Sequence, residues 1–166
     1  LNKETVSVFG GISGEYVVAR IVRYQRRRKS HVSAIVSQVI QASPHRVTPP
    51  CPYFGPCTGC QWQHISYEHQ LELKRAAVLT EINRFPELKH VPVANTVPSS
   101  QMFGYRNHAR FTVRRQGSLG FNNRITRHFV PVDECMIMDP RINKALGKLQ
   151  GKCEETTNIS IRLGTN

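Results

Sequence analysis

Three cysteines within ten residues constrain this chain more than any other feature of its sequence. Cys51, Cys57 and Cys60 lie in the string CPYFGPCTGCQWQH, and a fourth cysteine, Cys135, follows far downstream. Glycine and proline around the first three let the backbone turn sharply, so that several thiols can approach one point. Thiols grouped in this way usually hold a metal ion or an iron–sulfur cluster.

Spacing alone leaves three kinds of site open. A 4Fe–4S cluster would take four thiolates, from the three clustered cysteines and from the remote Cys135. A structural zinc ion would take the same three cysteines with His64, and so would need no remote ligand. A plant-type 2Fe–2S site has similar spacing, but an electron-transfer ferredoxin is not expected to carry a formal charge of +12. The 4Fe–4S and zinc hypotheses stand about even here, and Cys153 has no partner nearby in the sequence.

The charge of the chain favours a polyanionic partner. The 166 residues contain 23 Lys and Arg against 11 Asp and Glu, and the excess is uneven. Residues 1–50 and residues 101–166 each carry +6, whereas residues 51–100 are neutral. Two basic lobes therefore flank the cysteine segment, and nucleic acid is the commonest partner of such surfaces.

The number of cysteines and the hydropathy of the chain indicate the cellular compartment in which the protein is expected. Five cysteines are an odd number, and their clustering does not suggest the disulfide framework of a secreted protein. The sequence has neither an apolar stretch of membrane-spanning length nor the pattern of a signal peptide. We therefore expect a cytoplasmic protein with reduced thiols and no membrane partner; the sequence does not indicate its oligomeric state.

The residue pattern predicts a mixed α+β fold that is mainly antiparallel β. Runs rich in Val and Ile at 15–24 and 31–41 predict a hairpin that follows a short strand, VSVF. A helix is predicted to begin after Ser66 and to end before Pro86, and an extended linker follows at 89–104. The hairpin tip carries four cations that we expect to contact phosphate, namely Arg26, Arg27, Arg28 and Lys29.

The clearest strand signal is YRNHARFTVRR at 105–115. Apolar residues alternate there with Arg106, Arg110 and Arg114, which share the opposite face of the strand. The strands predicted next, LGFNN and RITRHFV, add basic residues but no acid, so we expect the arginine face to contact RNA or DNA. A second helix is predicted in DPRINKALGKLQG, and a last strand, with no visible partner, at Ile159–Leu163.

The run SPHRVTPPCPYFGPCTGCQWQHISYEHQLELK closely resembles the iron–sulfur RNA (uracil-5-)-methyltransferase family. The family pattern is roughly S-P-x-R-x-x-P-x-C-x-x-F-x-x-C-G-G-C-x-x-Q-H, followed by a helix that begins Y-x-x-Q-L-x-x-K. The chain departs from it where Thr58 replaces the first glycine of C-G-G-C. FGGISGEYVVARI, YRNHARFTV, LGF and DECMIMDP resemble the family in the same order, so the resemblance covers essentially the whole chain.

The resemblance implies a 4Fe–4S cluster with a structural role. Its fourth ligand falls on Cys135, and the other three are the clustered cysteines. The implied fold has a partial OB-like TRAM barrel, an iron–sulfur loop with a helix, and a small β-sheet with a helix. The corresponding domains are an N-terminally truncated TRAM-like domain at 1–43, the iron–sulfur loop, helix and linker at 44–104, and a C-terminally truncated central RNA-binding domain at 105–166.

The family's activity is S-adenosylmethionine-dependent methylation of uridine at C5, mainly in 23S ribosomal RNA. The resemblance therefore implies that the chain is the RNA-recognition part of such an enzyme. The family's nucleophilic cysteine and S-adenosylmethionine site belong to a later domain. We thus expect no catalytic or S-adenosylmethionine-binding residue in this chain, which should be inactive alone. The alternative hypothesis is a non-enzymatic RNA-binding module stabilised by zinc.

Overall fold

The computed structural model describes residues 6–26 and 29–164 of the chain. These residues form two β-sheets and two α-helices, joined by long irregular segments. No helix in these ranges is long and apolar enough to span a membrane. The strands are β1 (Ser7–Phe9), β2 (Tyr16–Arg26), β3 (Lys29–Gln41), β4 (His108–Arg114), β5 (Ser118–Asn122), β6 (Phe129–Pro131) and β7 (Asn158–Arg162), and the helices are α1 (Tyr67–Ile82) and α2 (Pro140–Leu149).

The first sheet has the strand order β1-β3-β2 and confirms the predicted hairpin. The β-branched residues of β2 and β3 suit a pleated surface. These two strands pair antiparallel, and β1 pairs parallel with β3. Within the described residues these three strands do not close into a barrel, so the OB-like TRAM assignment stays a prediction. The backbones of Arg26 and Lys29 are paired at the hairpin tip, whereas Arg27 and Arg28 lie outside the described residues.

The second sheet is antiparallel throughout, with the order β6-β5-β4-β7. The strand expected to lack a visible partner, β7, pairs with β4. The prediction of one strand over RITRHFV was wrong, because only its last residues enter β6. The Asn123 side chain accepts hydrogen bonds from the backbone nitrogens of Ile125 and Thr126, which closes a turn instead.

The apolar core lies between this second sheet and α2. Phe111 of β4 and Ile142 and Leu146 of α2 are fully buried, and each such side chain contributes about 1.5–3 kcal/mol through burial. The predicted start of α2 is confirmed, because the Asp139 side chain accepts a hydrogen bond from the Arg141 backbone nitrogen at 2.8 Å. The core thus gives β4, the strand of the arginine face, a rigid support.

Helix α1 lies at the surface, although its bounds match the prediction. Ser66 occupies the N-cap position, but its side chain makes no capping hydrogen bond. No α1 residue is buried, and Val78 is 49% exposed. The predicted extended segment runs back along the helix, where Arg75 Nε donates to the Val93 carbonyl oxygen at 3.0 Å.

Candidate cysteine centre and nucleic-acid interface

The cysteine loop, residues 43–66, is folded by hydrogen bonds between its own backbone groups. The Phe54 nitrogen donates to the Cys51 carbonyl oxygen at 3.1 Å, and the Cys57 nitrogen donates to the Tyr53 carbonyl oxygen at 2.8 Å. Gly55, between them, has φ = 96°, a conformation that side chains disfavour. Two successive turns therefore bring Cys51 and Cys57 near each other in a segment too rich in proline for regular structure.

A buried ion pair ties the start of this loop to the first sheet. The Glu15 side chain is 1% exposed and accepts hydrogen bonds from Arg46 Nε at 2.5 Å and Nη2 at 2.6 Å. The backbone nitrogens of Ile12 and Ser43 donate to the same carboxylate at 2.9 and 3.1 Å. The hydrogen bond from Arg46 is the main cause that lowers the pKa of Glu15 from 4.5 to about 2. Sequence reasoning missed this pair, because the two residues are far apart in the chain.

Two side chains tie the same loop to the second sheet. The Tyr53 hydroxyl donates to Asp133 Oδ2 and accepts from the Asp133 backbone nitrogen, both at 3.1 Å. Asn123 Nδ2 donates to the Pro56 carbonyl oxygen at 2.7 Å. The loop is thus attached to both basic lobes by protein groups alone.

The remote cysteine, Cys135, is fixed by helix α2. Its backbone nitrogen donates to Asn143 Oδ1 at 2.9 Å, and its carbonyl oxygen accepts from Asn143 Nδ2 at 3.1 Å. The same carbonyl accepts from the Met138 nitrogen at 3.0 Å. Asn143 therefore fixes the backbone that presents the Cys135 thiol.

All four cysteines of the predicted centre line one cavity of about 370 Å³. Each thiol is free and partly buried. Burial raises the pKa of Cys57 and Cys135, and the charges of neighbouring thiolates raise both further. The apolar part of the wall comes mainly from the second lobe and includes Ala109, Phe121, Val132, Ile137 and Met138.

The four thiols do not have the geometry of a single-ion site. In the described part of the chain, no three His, Cys, Asp or Glu side chains converge closely enough to hold one metal ion. Tetrahedral zinc, with Zn–S bonds of about 2.3 Å, would need its sulfurs nearly in contact. A 4Fe–4S cluster keeps its cysteine sulfurs farther apart, because its own irons and sulfides stand between them. Four cysteines that line one cavity are the kind of donor set that a 4Fe–4S cluster takes.

His64 and Cys153 are not among the residues that line the cysteine cavity. His64 is 3% exposed, and its ring packs against Phe54 at 5.5 Å between centroids. Burial lowers the pKa of His64, which favours the neutral ring. The structure thus does not bring His64 together with three cysteines as the zinc hypothesis requires.

The predicted arginine face is exposed on the outer side of the second sheet. Arg110 and Arg114 lie on β4, whereas Arg106 precedes the strand and forms a bridge with Met138. Arg110 faces Ser160 of β7 across the sheet. None of the three arginines forms an ion pair with any residue in the ranges that the structure describes.

Two neighbours of this face were missed from the sequence. Arg162 of β7 pairs with His108 of β4, so both side chains lie on the arginine side of the sheet. The Arg114 guanidinium lies over the Phe129 ring, 5.8 Å from its centroid. The alternation of apolar and polar residues in β7 indicates that Arg162 lies on its outer face. The register of β7 with β4, however, could not be predicted from the sequence.

Comparison with known proteins finds relatives that are named RNA methyltransferases. No family model matches it. It is 38% identical over 155 residues to the 23S rRNA (uracil(1939)-C(5))-methyltransferase RlmD of Halomonas elongata and 32% identical over 167 residues to the protein of that name from Alkalilimnicola ehrlichii. It is also 35% identical over 146 residues to a protein of Aquifex aeolicus named an uncharacterized RNA methyltransferase. Over most of its own length the chain is thus homologous to proteins named RNA methyltransferases. These matches cover 88–98% of the chain but only 31–36% of each relative, so the chain spans about a third of their length.

In this chain the cysteine centre and the arginine face are contiguous. Arg106, His108 and Arg110 line the same cavity as the four cysteines. Any group held by the thiols would therefore lie directly beside the first part of the arginine face.

Proposed function

We propose that this chain is the RNA-recognition part of an S-adenosylmethionine-dependent RNA uridine C5 methyltransferase. The proposed product is 5-methyluridine, and the proposed substrate is 23S ribosomal RNA in the cytoplasm. Homology to proteins named RNA methyltransferases supports the methyltransferase activity, and the names of two relatives support the substrate. In the proposed full-length reaction a cysteine thiolate adds to C6 of the uracil, the methyl group is transferred to C5, and loss of the C5 proton then expels the thiolate.

The observation that carries the RNA-binding role is the arginine face beside the cysteine cavity. Arg106, Arg110 and Arg114 are exposed and lack acidic partners among the described residues. When such unpaired cations contact phosphates, they displace the counterions that are condensed on the nucleic acid. The release of these counterions drives nucleic-acid binding. The face therefore suits the RNA backbone.

We assign a 4Fe–4S cluster to Cys51, Cys57, Cys60 and Cys135. When bound, the cluster would supply a covalent cross-link, and the proposed methyl transfer needs no redox step. Around that link, Tyr53 and Asn143 fix the backbones that carry the thiols. S-adenosylmethionine would be bound by the part of the full-length protein that corresponds to the remaining two thirds of the relatives.

The test of RNA binding is a triple variant of the arginine face. Arg106→Ala, Arg110→Ala and Arg114→Ala together should lower the slope of log K against log salt by about 2, at about 0.7 per lost contact with single-stranded RNA. Fluorescence anisotropy with a labelled fragment of 23S ribosomal RNA measures this slope. The control removes the same charge elsewhere, with Lys144→Ala, Lys148→Ala and Lys152→Ala.

A slope that falls equally in both triple variants would contradict the assignment of the arginine face. The same holds if the arginine variant keeps the wild-type slope. In the expected result the lysine variant stays near wild type, because its exposed lysines lie in and just after α2, off the β4 strand.

A further inference from the structure

A second cavity, of about 650 Å³, lies between the two basic lobes. Strand β3 forms one wall, the turn at 123–128 forms the other, and the cysteine loop forms the floor. No acidic residue is among the described residues that line it, whereas three arginines are. Its volume is within the usual range for small-ligand sites, so we call it the interlobe cleft.

Two of these arginines are free to bind an anion. Arg124 and Arg127 are exposed, and neither forms an ion pair in the described part of the chain. The third, Arg46, is already neutralised by Glu15. Arg124 and Arg127 therefore leave two cations without an acidic partner, among the described residues, on the wall that belongs to the second lobe.

The turn that carries this pair is held in an unusual conformation. Arg127 has φ = 64°, in the left-handed region that non-glycine residues rarely adopt. The backbone of Asn123 fixes it by accepting from the Arg127 nitrogen at 3.0 Å and donating to the His128 carbonyl oxygen at 2.8 Å. The Arg124 nitrogen donates to Thr58 Oγ1 at 2.8 Å, which joins the turn to the cysteine loop. Such strain persists only where the surrounding structure imposes it, and it often marks a functional site.

The remaining lining is suited to a flat, partly apolar group. Val36 of β3, Phe54 of the cysteine loop and Ile125 of the turn provide apolar surface. Gln38 and Gln61 add amide groups that can donate and accept hydrogen bonds. Cations on one wall, with apolar and amide groups around them, match a nucleotide, in which a sugar joins the phosphate to a flat base.

We propose that the interlobe cleft binds one unstacked nucleotide of a single-stranded RNA segment. Its phosphate would contact Arg124 and Arg127, and its base would lie against the apolar surface beside Gln38. A cavity of about 650 Å³ is too small for a double helix but can take one nucleotide that has left its stack. The inference rests on the proposed RNA-binding function, but it concerns a site separate from the β4 arginine face.

The first test removes the two free cations from the full 166-residue chain. Arg124→Ala is combined with Arg127→Gly, because glycine accepts the left-handed conformation without strain. The control variant, Arg20→Ala with Arg23→Ala, removes the same charge from exposed positions of β2 outside the cleft. At about 0.7 per contact, loss of two contacts should weaken binding of a labelled oligouridylate about 25-fold at ~0.1 M salt. The control should stay close to wild type.

A second variant tests the opposite wall without loss of any cation. Gln38→Glu places a negative charge in the cleft and should weaken oligouridylate binding, whereas Gln41→Glu, at an exposed position of the same strand outside the cleft, should not. An abasic strand of equal length tests the base contact. Wild type should prefer the oligouridylate to it, and the Arg124 and Arg127 double variant should lose most of that preference.

The outcomes separate this inference from the proposed function. If the wild-type chain binds no RNA, the proposed function fails. If the wild type binds RNA but both cleft variants match their controls, only the interlobe cleft is ruled out. Equal affinity of the wild type for the oligouridylate and the abasic strand would likewise overturn the nucleotide site.

Discussion

Replacing Glu15 with glutamine should destabilise the chain by about 3 kcal/mol. Glu15 is almost fully buried and accepts four hydrogen bonds, two of them from Arg46. Breaking a buried ion pair by removing one partner typically costs about 3–5 kcal/mol, because the remaining charge is left uncompensated. Because the Arg46 side chain is 20% exposed, water can partly solvate the charge that is left, so we take the lower end of that range.

The same contact makes a specific prediction about pH. The folded-state pKa of Glu15, about 2, lies below its ordinary value of 4.5. A carboxyl whose pKa is lower in the folded state than in the unfolded state stabilises the fold at pH values above its unfolded-state pKa. This stabilisation is lost as the pH falls through the folded-state pKa. The wild type should therefore lose stability between about pH 4.5 and pH 2, and Glu15→Gln should lose less over that window.

Urea unfolding followed by circular dichroism, at pH 7 and at pH 3, measures both effects. The matched control is Glu81→Gln, which removes the acid of an exposed ion pair with Arg84 and should cost under about 0.5 kcal/mol. Similar destabilisation by the two variants would refute the argument that Glu15 and Arg46 fix the cysteine loop to the first sheet. Parallel pH dependence of wild type and Glu15→Gln would refute the proposed titration.

Three further substitutions test the packing of the second sheet, of α2 and of His64. Gly120→Ala should destabilise the fold by about 3 kcal/mol in thermal or urea unfolding, because a Cβ there would overlap the Val130 carbonyl oxygen. Gly147→Ala, with nothing within 4 Å of the added Cβ, should instead stabilise α2 by about 0.5–1 kcal/mol, and the reverse order would contradict the register of β5 and β6. His64→Leu should change stability by less than about 1.5 kcal/mol, because the buried ring packs against Phe54 and leucine is also apolar. The metal content should stay unchanged, because His64 does not line the cysteine cavity, and loss of bound metal would restore the zinc hypothesis.

Local sequence signals predicted the elements whose stability is local. The β-branched runs gave the β2–β3 hairpin, and Asp139 followed by proline gave the start of α2. The arginine face followed from the alternation in β4, whose apolar residues are buried in the core. In β4 the periodicity of the residues and their burial agree.

Features that depend on contacts between distant segments could not be predicted in this way. The apolar residues of α1 recur at helical spacing, yet none of them is fully buried in the described chain, and Val78 stays half exposed. The turn at 123–128 replaced a predicted strand because Asn123 accepts hydrogen bonds from two backbone nitrogens. The bonds of Asn143 to the backbone of Cys135 likewise depend on the tertiary fold.

Metal analysis of the chain purified without oxygen tests the central claim most directly. Iron and acid-labile sulfide are measured together with zinc, in wild type, in Cys135→Ser and in Cys153→Ser. A 4Fe–4S cluster on the four cysteines predicts a brown protein with iron and sulfide in equal amounts, about four of each per chain. The cluster should be lost in Cys135→Ser and kept in Cys153→Ser, because Cys153 is not among the residues that line the cysteine cavity. A colourless protein with one zinc per chain that survives Cys135→Ser would contradict the account.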